Sequence, residues 1–176
     1  MTAPITSEGL LSVADTLARL DDPTTTARRR AVSSAYYALF HGLVAEAVRR
    51  TFGDDPARDE DRYTVSRWYN HGEMRTVAQW VIRLSRGETV PNGVAVLLGG
   101  PPPDLVELAR AFIQLQEARH EADYDHTATV AEADARAAIN TAREALARVP
   151  RLDPGRVYDN YLVLLLGVTA KVGRNN

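Results

Sequence analysis

Cysteine is absent from the 176 residues. Disulfide frameworks and thiolate metal sites are therefore excluded, and core packing must hold the chain together. The absence also fits a reducing compartment. No run of about 18 apolar residues occurs, which is the length a membrane span requires. The longest apolar stretch, Tyr161 to Val168, falls well short of it. The opening MTAPITSEGLL has no basic segment leading into an apolar one, so no secretory leader is expected and the expected location is cytoplasmic. Neither sign of charge dominates: 21 Lys and Arg stand against 23 Asp and Glu, a net charge of -2. That balance argues against nucleic-acid binding through the whole surface and leaves room for a local basic patch. No phosphate-binding glycine loop, serine-hydrolase elbow or zinc motif is present. Gly99-Gly100, followed by three prolines, reads as a plain turn. There is no internal repeat, low-complexity tract or domain linker, and alternating β signals are weak.

Helical spacing dominates what remains, and the expected architecture is a single all-α domain, an antiparallel bundle of four to six helices. Leu10, Val13, Leu17 and Leu20 form a first stripe, with Ser7 as its N-cap. Asp22-Pro23 reads as the start of a second helix running to about Arg50, with Val32, Ala35, Tyr36, Leu39, Phe40, Leu43 and Ala47 inward. Asp54 to Asp61 reads as a charged loop. A third helix is expected from about Tyr63 to Leu84, kinked at Gly72, burying Val65, Trp68, Tyr69, Val77, Ala78, Val81 and Ile82. Gly87 to Pro103 reads as a loop interrupted by a short helix near Val94 to Leu98. A fourth helix starts near Pro103-Asp104. An alanine-rich fifth runs from about Thr129 to Val149, its small residues letting a neighbour approach closely. Asp153-Pro154 opens a last segment through Tyr161 and Leu165, helix or strand.

The fourth helix carries the anomaly. Leu105, Leu108, Phe112, Leu115, Arg119, Ala122 and His126 follow one another at spacings of three or four, so an arginine and a histidine continue a line that begins as core. On a regular helix Arg119 and His126 stand about 10 Å apart along the axis, and a bend after Ala122 brings them closer. A buried arginine must be paired. Three readings follow: a structural ion pair with Asp123 or Glu46, a subunit interface, or a polar cleft for an anion.

The stretch Arg30-Ala-Val-Ser-Ser-Ala-Tyr-Tyr-Ala-Leu-Phe-His41 resembles the second-helix motif of the HEPN superfamily. Arg119-His-Glu-Ala-Asp-Tyr-Asp-His126 resembles its R-x4-6-H motif, with six intervening residues, and the R-x-x-A-D-Y variant of bacterial members. The resemblance covers roughly residues 7 to 148 and leaves out the tail from Arg151. Its motif falls late in a third core helix, so the third helix here reads as an insertion or a broken continuation. The resemblance implies a homodimeric, metal-independent endoribonuclease without cofactor, a toxin or defence component, with a nucleotidyltransferase-like antitoxin as a possible partner and no membrane association. His126 then transfers protons at the ribose 2′-hydroxyl or the leaving oxygen, and Arg119 holds the phosphate. A two-fold axis brings two copies of each to one cleft. The alternative is a HEPN-fold scaffold that dimerises and binds a nucleotide or protein without catalysis.

Around this pair, Asp123 is placed to orient Arg119 at i,i+4. His41 alone reads as a packing residue, and the motif makes it a support for the site. His120 points about 100° from Arg119, toward solvent or the flank of the cleft. Tyr124 either stacks a base or packs. Tyr37 and Arg30 are the expected RNA-binding residues. Arg30 lies nearest the motif in the run Arg28-Arg29-Arg30, which otherwise reads as a solvated face at a helix start that disfavours cations. Some HEPN toxins are modified on a tyrosine two residues past the histidine, and here that position is Ala128. Glu117-x-x-His120 has the spacing of a di-iron ligand pair, but neither Ala38 before His41 nor Trp68 before His71 completes a second one, so no metal is expected.

Overall fold

The computed structural model describes residues 5–20, 24–125, 127, 129–152 and 155–167. Among these the chain is all-α: helices α1 (Ser7–Ala18), α2 (Thr25–Phe52), α3 (Asp59–Ser66), α4 (His71–Ser85), α5 (Asn92–Leu98), α6 (Pro103–Tyr124), α7 (Glu132–Arg148) and α8 (Arg156–Leu164), with 3-10 turns at Pro56–Arg58 and Val149–Arg151 and no strand. No helix of the described residues is long and apolar enough to cross a membrane.

The chain forms two compact units, and the boundary falls inside helices, after Gly42 in α2 and before Ala111 in α6. The first unit comprises residues 1–42 and 111–148. Here α1, the start of α2, the end of α6, and α7 enclose Tyr36, Leu39, Phe112 and Leu115, all essentially inaccessible. The rings of Tyr36 and Phe112 lie 5.7 Å apart and tilted, a favourable aromatic geometry. Alanines 135, 138, 142 and 145 make the inner face of α7. A Cβ on Gly42 would press on the Leu146 Cδ2 methyl, so α2 meets α7 closely there and any larger residue would need Leu146 to shift.

The second unit comprises residues 43–110 and 149–176. Leu43, Met74, Val77, Val81, Val94, Leu98, Leu105, Leu108 and Tyr161 form its core. Asn160 of α8 donates to the Leu97 carbonyl at 2.8 Å. Arg50, mostly buried, binds Glu46 and Asp159 and lies over the Tyr158 ring at 4.5 Å. The α4 helix closes on Gly87 at φ 71, which aims the amides of Gly87 and Glu88 at the Leu84 and Arg83 carbonyls.

The stripes expected on α2 and α6 are buried as expected: Val32, Ala35, Tyr36, Leu39, Phe40, Leu43 and Ala47 on one, Leu105, Leu108, Phe112, Leu115 and Ala122 on the other. The last segment is helix rather than strand. Other expectations are corrected. Thr6, not Ser7, caps α1, its hydroxyl accepting from the Gly9 amide. Ala14 and Ala18 form the buried line of α1, while Val13 and Leu20 are exposed; alanines let α1 lie close to α7, and that outweighs the larger side chains. The segment expected as one kinked helix is two, because the Asn70 side chain accepts from the Glu73 amide and starts α4 afresh. Trp68, in the break, is exposed, although Tyr69 is buried. The charged stretch 54–61 is not a loop throughout: Asp55 caps the 3-10 turn and α3 begins at Asp59. The expected starts Asp22-Pro23 and Asp153-Pro154 lie outside the described residues; Thr24 Oγ1 caps α2 by accepting from the Ala27 amide at 3.1 Å.

The corrected face of α1 sets a stability contrast. Val13→Ala is expected to change unfolding free energy by less than about 0.5 kcal/mol, as at exposed sites generally. Leu39→Ala is expected to cost about 2–5 kcal/mol. Urea unfolding followed by circular dichroism reads both, and a comparable loss in Val13→Ala would restore the sequence-derived face.

Candidate functional site

The first half of α2 presents Arg29, Ser33, Tyr37 and His41 at successive spacings of four. In the first unit this line meets the last turns of α6, where Arg119, Ala122 and Asp123 stand.

Asp123 joins the two sides. One carboxylate oxygen accepts from the Ser33 hydroxyl, and Ser33 is itself a buried polar residue at 4% exposure. The other oxygen lies 2.7 Å from Arg119 Nε, with both side chains only 17% exposed. The Nε–H vector is not aimed at that oxygen, so the contact is an ion pair rather than an aligned hydrogen bond. Arg119 Nη2 donates to the Tyr37 hydroxyl at 3.0 Å. The guanidinium carbon lies 5.5 Å from the Tyr37 ring centre and 5.2 Å from that of Tyr124. Burial works against the cation, but the oxygens of Tyr37, Asp123 and Tyr124 outweigh it and hold Arg119 above its ordinary pKa. It is a fixed positive charge.

Arg29 holds the end of α6. Its Nε donates to the Ala122 carbonyl and its Nη2 to the Asp125 carbonyl at 2.8 Å. A cation there satisfies carbonyls that the helix leaves without partners and opposes the negative end of its dipole. Arg29 is thus the member of the arginine run that reaches the site, whereas Arg30, the one expected to, is exposed. The α6 helix stops at Tyr124, and the expected site residue His126 lies outside the described residues, as does Ala128. Beside that position the Asp125 carboxylate accepts from both the amide and the hydroxyl of Thr127, at 2.8 and 2.7 Å.

Tyr124 is 58% exposed, and the ring of the exposed His120 lies 5.0 Å from it. His120 therefore takes the solvent side, as expected. His41 is half-buried, 6.4 Å from the Tyr37 ring and edge-on to Phe40 at 5.3 Å, and burial lowers its pKa. Glu46, one expected partner of Arg119, binds Arg49 and Arg50. Among the described residues no three His, Asp or Glu side chains converge on a metal position. Sequence reasoning missed Arg29 and Ser33; their signal was the spacing of four that continues into Tyr37 and His41.

No protein-family model, curated protein or solved structure matches the chain.

Two measurements test this geometry. Asp123→Ala strips the partner from a mostly buried guanidinium and is expected to cost about 3 kcal/mol, while Ser33→Ala costs about 1–2 kcal/mol. Denaturation that ranks Ser33→Ala as the more damaging would contradict the arrangement. His41 gives a pH signature. The unfolded chain takes up its proton near the ordinary value of 6.5, and the folded chain only at lower pH. Between those values the unfolded state binds more protons, so stability falls as pH drops through the window and levels off below the folded value. His41→Gln is expected to remove that slope from the Tm-against-pH curve; an unchanged curve would count against the burial of His41.

Proposed function

We propose that the chain is a HEPN-like, metal-independent endoribonuclease acting as a homodimer, with Arg119 the phosphate-binding residue and His126 the residue that moves protons. The observation that carries this reading is the Arg119 guanidinium, permanently charged, oriented by Asp123 and flanked by two aromatic rings. Tyr37 and Asp123 engage its Nε–Nη2 edge, so the fork is fixed in angle before any ligand arrives. A phosphate oxygen is taken by the guanidinium N–H groups that Tyr37, Asp123 and Tyr124 leave. Preorganised charge of this kind stabilises a developing phosphorane without reorganisation at the moment of reaction.

His126 is the candidate to accept the 2′-hydroxyl proton and return one to the 5′-oxygen, the acid–base work imidazoles commonly do. A 2′-hydroxyl nucleophile requires no metal and restricts the substrate to RNA. Two protomers double the donors and bases around one phosphodiester. The exposed Tyr124 and His120 rings offer a face to an unpaired base, and a nucleotidyltransferase-like antitoxin is a candidate partner. The second reading is a HEPN-fold binding or scaffold protein, favoured by the full engagement of Asp123 and of one Arg119 edge inside the subunit.

Purified protein in EDTA is expected to cleave single-stranded RNA. Arg119→Ala and His126→Ala are each expected to lower the rate at least about a hundredfold, the scale for removing one transition-state donor or a general acid–base. Both should keep the sedimentation coefficient of the parent. Cleavage that survives equally in both variants would remove the nuclease reading and leave the scaffold.

A further inference from the structure

Away from Arg119, in the same unit, a cavity of about 260 Å³ opens between α1 and α7, lined by Asp15, Ala18, Arg19, Arg136, Ile139, Asn140 and Arg143. Its floor is apolar: Ala18 and Ile139 are buried. Its walls carry three guanidinium groups, one amide and a single carboxylate. That carboxylate is already met, since Arg143 Nη2 reaches both Asp15 oxygens at 2.9 and 2.8 Å. Arg136 pairs with Glu132, which does not line the cavity. Arg19 takes no part in any ion pair of the described residues. Positive charge therefore exceeds negative in a recess whose low-dielectric floor weakens screening, a geometry that concentrates anions.

We propose that this groove binds a backbone phosphate of an RNA strand whose neighbouring segment lies at Arg119. The identity of the anion rests on the ribonuclease reading; the groove itself asks only for a phosphodiester. Both places lie in the first unit, the groove between α1 and α7 and Arg119 where α6 meets α2. The first turns of α2 then carry Arg29, which grips the end of α6 beyond Arg119. Arg19, in no ion pair among the described residues, gives a phosphate one charge, Arg136 a second held by an exposed pair that is weak in water, and Asn140 a neutral donor.

Fluorescence anisotropy with a labelled oligouridylate and a salt titration tests the groove. Arg19→Gln and Arg136→Gln are each expected to weaken binding several-fold and to flatten the log K against log salt slope by about 0.7, the value for one phosphate contact on a single strand. Arg110→Gln, removing a surface arginine paired with Glu107 in the other unit, is the control and should change neither. Unchanged affinity and slope in both groove variants would overturn the proposal, as would an oligoglutamate of equal charge displacing the RNA at equal concentration, which would make the groove a site for acidic protein. Cleavage of a dinucleotide, too short to span groove and Arg119, separates the two readings. Groove variants should cleave it at the parental rate; loss of dinucleotide cleavage in them would also overturn the proposal by making these arginines part of the Arg119 site. If no variant and no parent cleaves, the binding data still decide the groove on their own.

Discussion

The Asp123 carboxylate constrains the end of α6 more than any other group. It is mostly buried, and a carboxylate removed from water at that depth survives only if each oxygen is met. Ser33 meets one oxygen from α2 and Arg119 meets the other from its own helix. The charge-assisted contacts return roughly what desolvation takes, so the arrangement adds little net stability. What it fixes is register. Sliding α2 by one residue along α6 would turn Ser33 away and leave a buried charge unmet. The cost of that error is what sets the angle of the guanidinium.

Charge then alternates across the contact. Arg29 holds the Ala122 and Asp125 carbonyls on either side of Asp123, and Arg119 lies one turn back along α6. Arg29 opposes the partial negative charge of the helix end, and Asp123 opposes one of the two cations, so one positive charge remains in the set. Placing three arginines in the opening turns of α2 is unfavourable for α2 alone, where the dipole already presents positive charge. The helix end of α6 offsets that cost for Arg29.

The large apolar stripes were legible because a 3.6-residue period is a direct image of one buried face; α2 and α6 follow it residue for residue. Legibility failed where small residues decided. On α1 the leucines and valine outweigh Ala14 and Ala18 in any hydrophobicity reading, yet close approach to the alanines of α7 requires the small face inward. It failed again at Asn70, where a single side-chain cap outcompetes continuation of a helix that periodicity alone would carry through. At the site, Arg119 with Asp123 was readable from spacing within one helix. Arg29 and Ser33 were not, because their partners lie 90 or more positions away and only the register of α2 on α6 selects Arg29 over Arg30.

A purely structural ion pair needs nothing on its outer side, and this is where the arrangement has more than packing demands. Tyr124 leaves over half its surface in water while its ring centre lies 5.2 Å from the guanidinium carbon. Burying that ring inward would have stabilised the fold; holding it out does not. The rings of Tyr37 and Tyr124 and the oxygens of Tyr37, Asp123 and Tyr124 surround Arg119 and limit how a ligand can approach it. A planar guanidinium held at a fixed angle favours an oxyanion with directed lone pairs, such as a phosphate, over a spherical anion. The proposal of a phosphodiester rests on that restriction of approach, which a lone surface arginine of the same charge would not impose.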